Sequence, residues 1–168
     1  MGAPKQLSVS AVDLLAIRRL LIQKFPNLQN ESFKPVSEDS DEYNCIAWAA
    51  DVVDDRWWPD PDPANAFWPI AWRDPNDKDC FIGAFKSYGN YEPCDKDFSL
   101  EAGYEKVVLY VDSNDDPKHM ARQLANGKWT SKCGVYGWDI IHETVKGVEG
   151  QEYGQAILAL RRERTDCE

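Results

Sequence analysis

Two histidines and five cysteines, with no CxxC pair among them, leave this chain few routes to covalent chemistry. Cys45 heads an apolar run, NCIAWAA, directly behind Asn44. Asparagine is a good helix N-cap, so Cys45 falls in a first helical turn. Unsatisfied backbone N–H groups and the positive end of the helix dipole there favour a thiolate and can hold an oxyanion. That is the chemistry of a nucleophile attacking a carbonyl. The opposing reading is that a free cysteine in an apolar helix is a packing residue, which is the commoner role of the type. A nucleophile also needs a base, and the candidates are His119 and His142. His119 follows the polar turn DSNDDPK and opens a predicted strand, either facing a cleft at a sheet end or solvated on the turn. His142, inside WDIIHETV, reads as structural or as a surface residue of a short helix.

Other chemistries are poorly served. The scattered cysteines fit reduced thiols better than a disulfide framework or a zinc site, and Cys80 and Cys133 read as packing residues. DSNDD at 112–116 has Pro117 where a calcium loop needs glycine, and no bidentate glutamate follows. No glycine-rich phosphate loop is present, so neither a metal nor an organic cofactor is expected.

The elements that must position these residues follow from periodicity. Ser8 or Ser10 can cap a helix through about Lys24, because Val12, Leu14, Leu15, Ile17, Leu20, Leu21 and Ile22 recur at helical spacing. NLQNESFKPVSEDSDEY then reads as a surface connection, and Cys45 to about Val53 as a buried helix with almost no polar face. Four prolines and four tryptophans in residues 55–73 predict a long loop packed on itself. KDCFIGAFKSY reads as an amphipathic helix stopped by Gly89. KVVLYVD, HMARQL and KWTSK read as three strands, with Asn126-Gly127 turning a hairpin between the last two. DIIHETVKGVEG is predicted to form a short helix and QAILALR a final strand. Helices precede strands, an α+β order.

At 168 residues, 43% hydrophobic and 12% aromatic, the chain is expected to fold as one domain with its core between about residues 8 and 162. A net charge of −10 argues against nucleic acid as a partner. Arg161, Arg162 and Arg164 cluster only at the C-terminal end, as a solvated terminus does. No stretch approaches the roughly 18 to 20 apolar residues that span a bilayer, and MGAPKQLSVS lacks a secretory core. A cytoplasmic protein without a membrane partner is expected, delivery by a signal-independent route being the other option.

A cysteine heading a buried helix, followed by an antiparallel sheet whose second strand opens with histidine, resembles the papain-like fold of cysteine peptidases and amidases, especially the NlpC/P60 group. KVVLYVDSNDDPKHMARQLANGKWTSK is similar to that group's strand, turn and hairpin. NCIAWA at 44–49 and HMARQLANGKWTSK at 119–132 also resemble a bacterial family of uncharacterised domains with these motifs. The resemblance implies that Cys45 attacks a carbonyl, that His119 shuttles the proton, and that a third polar group orients the imidazole. That third group falls at Ser131. A two-residue Asn126-Gly127 loop would instead bring Thr130 to the face of His119, whereas a three-residue loop from Ala125 brings Ser131, the preferred choice. Asp139 is a further candidate if its segment folds back. A hydroxyl departs from the amide or imidazole usual in the group. The oxyanion side chain is open among Gln29, Asn30 and Tyr43, with the Cys45 N–H as a contributor. Trp57 and Trp58, with Tyr43, are the candidate substrate contacts. Phe67, Trp68 and Trp72 complete a loop that walls a groove or simply roofs the core.

The function implied is a cysteine-dependent hydrolase or acyl-transfer enzyme acting on an amide bond of a peptide, protein or amide-containing substrate. Peptidase, amidase and glutamine deamidase chemistry share the same pair. The alternative is a non-catalytic binding module of the same fold that recognises its partner through the tryptophan loop.

Overall fold

Ser10 starts the first helix, its side chain accepting from the Asp13 N–H at 3.2 Å, with the Asp13 carboxylate suiting the first turn. The resulting α1 spans Ala11–Lys24 in the computed structural model, which describes residues 4–133 and 137–165. Ile17 and Leu21 are its buried contacts, while Val12, Leu15 and Leu20 are exposed. A 3-10 turn at Pro26–Asn30 and a strand, β1 (Phe33–Ser37), follow where the composition suggests only a polar connection. β1 lies at the sheet edge, the position that tolerates Pro35 with its missing N–H, and its burial alternates with Phe33 and Ser37 inward.

Asn44 does two jobs in the next segment. Its side-chain oxygen accepts from the Ala47 N–H at 3.1 Å, capping α2 (Cys45–Ala49), and from the Trp57 N–H at 3.0 Å. Its amide nitrogen donates to the Trp57 carbonyl at 2.7 Å, so one side chain ties the start of the helix to the tryptophan loop. α2 is shorter than expected because Asp51 takes a left-handed conformation (φ 63°), which no helix continues. Residues 55–73 form no helix or regular strand; Trp57, Phe67 and Trp68 pack together and onto α3 (Lys78–Gly89). The left-handed stop of α3 is Asn90, one residue beyond Gly89.

The remaining elements are strands: β2 (Glu92–Pro93), β3 (Tyr104–Val111), β4 (Pro117–Gln123), β5 (Trp129–Cys133), β6 (Trp138–His142) and β7 (Gln155–Glu163), with a 3-10 turn at Val145–Val148. All pairings in the seven-stranded sheet, ordered β1-β6-β5-β4-β3-β7-β2, are antiparallel. The segment WDIIHETV is thus not the helix its composition suggests. Pairing on both sides, with β5 and β1, gives β6 two backbone ladders, and Ile140 and Ile141 favour the extended form. The architecture is α+β, with helices on both sheet faces. One core joins α2, α3 and the tryptophan loop to Val107, Leu109, Val111, Met120 and Leu160; the other joins α1 and the 3-10 turns to Val108, Tyr110, Ala121, Trp129 and Ile140. A strand covered on both faces explains why VVLYV at 107–111 is apolar throughout instead of alternating. Among the described residues no helix is long and apolar enough to cross a membrane.

The hairpin loop has three residues. Leu124 N–H donates to the Lys128 carbonyl at 2.7 Å, Gln123 pairs with Trp129, and Gly127 takes φ +87°. β4 and β5 are paired only at Arg122–Thr130 and Gln123–Trp129, after which β4 continues on β3 and β5 on β6. The two halves of the sheet therefore part beside Lys118 to Met120.

The loop carrying Tyr153 is held closely against this region. Gly150 and Gly154 exchange backbone hydrogen bonds at 3.0 and 2.7 Å, and a Cβ on Gly154 (φ +75°) would stand 1.9 Å from the Val111 carbonyl oxygen. Gly154→Ala should cost at least about 3 kcal/mol. Gly103→Ala, with the same left-handed backbone (φ +81°) but open space around it, should cost only about 1–2 kcal/mol. Urea denaturation of both variants checks the contrast, and equal losses would refute the close approach.

Candidate active site

Cys45 is half-buried at the first position of α2, its Sγ 3.9 Å from the Lys118 carbonyl oxygen at the open edge of β4. It lines a cavity of about 450 Å³ together with Tyr43, Asn44, Arg56, Trp58, Lys118 and Tyr153. Burial pushes its thiol up to about 11, against the lowering influence of the N–H groups of Met120, Ile46 and Cys45 itself and of the Lys132 ammonium. The sequence expectation of a dipole-stabilised thiolate is therefore corrected. That rise, from an ordinary 9.0 to about 11, exceeds what a helix terminus supplies, about 0.3–1 kcal/mol or under one pH unit. A five-residue helix has little dipole to oppose desolvation.

His119 is fully buried on β4. Alternation along the strand turns Met120 and Arg122 toward α2, where Arg122 donates to the Trp48 carbonyl at 3.0 Å. His119 and Ala121 face the other side, and the His119 ring stacks on Tyr153 with centroids 3.9 Å apart and planes within 2°. No hydrogen bond joins His119 to Cys45 in this structure; Sγ instead touches the backbone one residue before it. His119 Nε2 lies 3.0 Å from Ser131 Oγ, while Nδ1 is buried without a hydrogen-bond partner among the described residues. Burial, reinforced by neighbouring His142, holds the imidazole well below 6.5 and hence neutral.

The three-residue loop brings Ser131 to the His119 face. Thr130 points the other way, accepting from Trp48 Nε1 at 3.0 Å and donating to the Ile140 carbonyl at 2.8 Å. Asp139 does fold back, onto β5 and β1, but its carboxylate accepts from Tyr43 Oη and Ser37 Oγ and not from His119. Lys132, buried with its ammonium 4.5 Å above the Tyr43 ring, bonds the carbonyls of Ser40 and Gly137 at 2.6 and 2.8 Å. The Tyr43 hydroxyl, its pKa raised chiefly by burial, is thus committed to Asp139 although its residue borders the cavity. Trp58 also borders it. Trp57 does not: it is 2% exposed among Phe67, Trp68, Phe85 and Tyr88 and roofs the core. Gln29 and Asn30 are exposed on the 3-10 turn, away from the cavity lining. Cys167 lies outside the described residues.

His142 is the residue that sequence reasoning misplaced. It is fully buried at the end of β6, its Nε2 2.8 Å from Ser131 Oγ and its Nδ1 2.8 Å from the Thr144 carbonyl oxygen. The adjacent β-branched Ile140 and Ile141 were the available signal, masked by the helix-like run ETVKGVEG after them. Among the described residues no group of three or more His, Cys, Asp or Glu side chains is arranged to hold a metal ion.

The family model of DUF7689, a domain of unknown function, matches residues 34–161. The chain belongs to that family. The DUF7689 match takes in Cys45, His119, Ser131, His142 and Tyr153 and leaves α1 outside it. No curated protein and no solved structure matches the chain.

Both imidazoles of this DUF7689 domain are pushed down on folding, so below pH 6.5 the unfolded chain binds more protons than the folded one. Stability present at neutral pH is then lost as the pH falls from about 6.5 toward 4. His142, pushed down to about 4 chiefly by burial, should alone account for about 3 kcal/mol at that pH. His142→Gln should accordingly flatten the fall in urea midpoint over this window. An unchanged slope would show that His142 is not held neutral.

Proposed function

We propose that this domain is a cysteine-dependent hydrolase or acyl-transfer enzyme of papain-like fold, acting on an amide bond of a peptide or related substrate. The observation that carries the proposal is the Cys45 thiol resting on the β4 backbone one residue before the neutral, buried His119. Its Nε2 is engaged by Ser131, its Nδ1 has no hydrogen-bond partner among the described residues, and Cys45 Sγ rests on the backbone of the preceding residue and lines a cavity. Because the thiol is raised, the resting pair is neutral, and the proton leaves sulfur only as sulfur attacks. In the proposed cycle His119 Nδ1 takes the Cys45 proton while the C–S bond forms, and the Cys45 N–H helps hold the oxyanion. His119 then protonates the leaving amine as the C–N bond breaks, and water or another nucleophile opens the thioester. Substrate binding is required to bring Sγ and Nδ1 into contact, since catalytic hydrogen bonds commonly tighten only in the complex. The parted β4 and β5 leave the strand edge open for that approach.

A non-catalytic module of the same fold is the second reading. The raised thiol and the sealed imidazole favour it, and the rim of Trp58 and Arg56 would then be a recognition surface.

Acylation separates the two. With p-nitrophenyl acetate at pH 7.5, intact mass and peptide mapping should find the acetyl group on Cys45 in preference to the half-buried Cys94. His119→Ala should slow that step by about 10²–10⁴-fold. Equal labelling of Cys45 and Cys94, or no effect of His119→Ala, would favour the module.

A further inference from the structure

The hydrogen-bond chain behind His119 has one end whose polarity is certain. The Thr144 carbonyl oxygen can only accept, so His142 Nδ1 carries the hydrogen that it donates across 2.8 Å. A neutral His142 then has a bare lone pair on Nε2. Ser131 Oγ, 2.8 Å away, has a single hydrogen and must place it there. The hydroxyl is left with lone pairs alone for His119 Nε2 at 3.0 Å, so that nitrogen is the donor. A neutral imidazole protonated on Nε2 is bare on Nδ1, the atom that has no hydrogen-bond partner among the described residues.

We infer that His142 is a positioning residue that sets the tautomer of His119 through the Ser131 hydroxyl, leaving His119 Nδ1 as the base. Direction is imposed from the far end. Glu31 holds the Thr144 turn in place: Oε1 accepts from the backbone N–H groups of Glu143 and Thr144 at 2.8 and 3.1 Å, and Oε2 accepts from Thr144 Oγ1 at 2.7 Å. Gly147 leaves room for that carboxylate, since a Cβ there would stand 2.5 Å from Oε1. The turn in turn presents its carbonyl to His142, and one proton per link fixes every bond back to β4. A hydroxyl in the third position, weak as a charge partner, serves here as a relay between two imidazoles. The benefit to catalysis rests on His119 acting as the base; the tautomer itself does not.

The test uses the full chain with ¹⁵N-labelled histidine and long-range ¹H–¹⁵N correlation spectra, which report the protonated nitrogen of each ring directly. Wild-type His119 should be protonated on Nε2. H142Q, whose side-chain carbonyl can accept from Ser131, should keep that tautomer and acylate at close to the wild-type rate. H142M frees the Ser131 hydroxyl to donate toward His119, and Ser131→Ala removes it. Both should shift His119 toward the Nδ1-protonated form and slow Cys45 acylation by about 10- to 100-fold. A wild-type His119 protonated on Nδ1, or a tautomer indifferent to H142M and Ser131→Ala, overturns the inference. If H142M does not fold, the wild-type and Ser131→Ala spectra decide. The Nε2-protonated tautomer in a wild-type protein that never acylates would support the relay and refute the enzymatic proposal.

Discussion

Two imidazoles and a hydroxyl sit in the middle of this sheet where no solvent reaches them, and they must satisfy one another or leave polar groups stranded. His119, Ser131 and His142 are all fully buried, and each belongs to a different neighbouring strand. An unmade hydrogen bond in such a place costs about 1–3 kcal/mol, so the register of β4, β5 and β6 is held by polar as well as apolar demands. A slip of one residue in β5 would turn Thr130 to His119 and take from Trp48 the acceptor it uses on the opposite face. The Tyr153 ring, α1 and the Val145–Val148 turn close the same region from outside.

The opposite face carries a second polar network, and it governs how the chain enters α2. Tyr43 is tied to Asp139, Ser40 to Lys132, and Asn44 to Trp57. Cys45 is therefore the first residue of a helix whose three preceding residues include two with committed side chains. Tyr153 Oη, which donates to the Lys132 carbonyl at 3.0 Å, links the two faces through β5. This rigidity positions the sulfur, but the enclosure that provides it also desolvates the thiol. The competition is won by burial, which is why the thiol is raised and the imidazole lowered, and why the chemistry proposed for them is general-base attack and not that of a standing thiolate.

Much of this was legible beforehand. The N-cap Asn44, the amphipathic helices, the strands around residues 104–123 and the three-residue hairpin all rest on short-range rules: capping, periodicity and the left-handed need of Gly127. The hairpin rule also carried Ser131 to the face of His119. The errors lie where long-range pairing overrides local preference. β1 was hidden because Phe33–Ser37 lies within a polar run and holds a proline, which an edge strand accepts. β6 was hidden because its two ladders are supplied by β1 and β5, which no local window contains. His142 was misplaced with it. The ionisation of Cys45 was misjudged because a first-turn position is visible in a sequence whereas the depth of burial is not.

The amino-acid sequence by itself determined which groups are available for chemistry and the local elements that carry them: one cysteine behind a capping asparagine, two histidines, and a hairpin whose glycine specifies its loop. Only the tertiary structure decided which of these groups meet, which face of the sheet each occupies, and which protonation state each adopts. Those depend on desolvation and on hydrogen-bond partners separated by up to a hundred or so residues, such as Glu31 with Thr144 and Tyr43 with Asp139. Such energies arise only once distant strands are paired and water has been excluded between them.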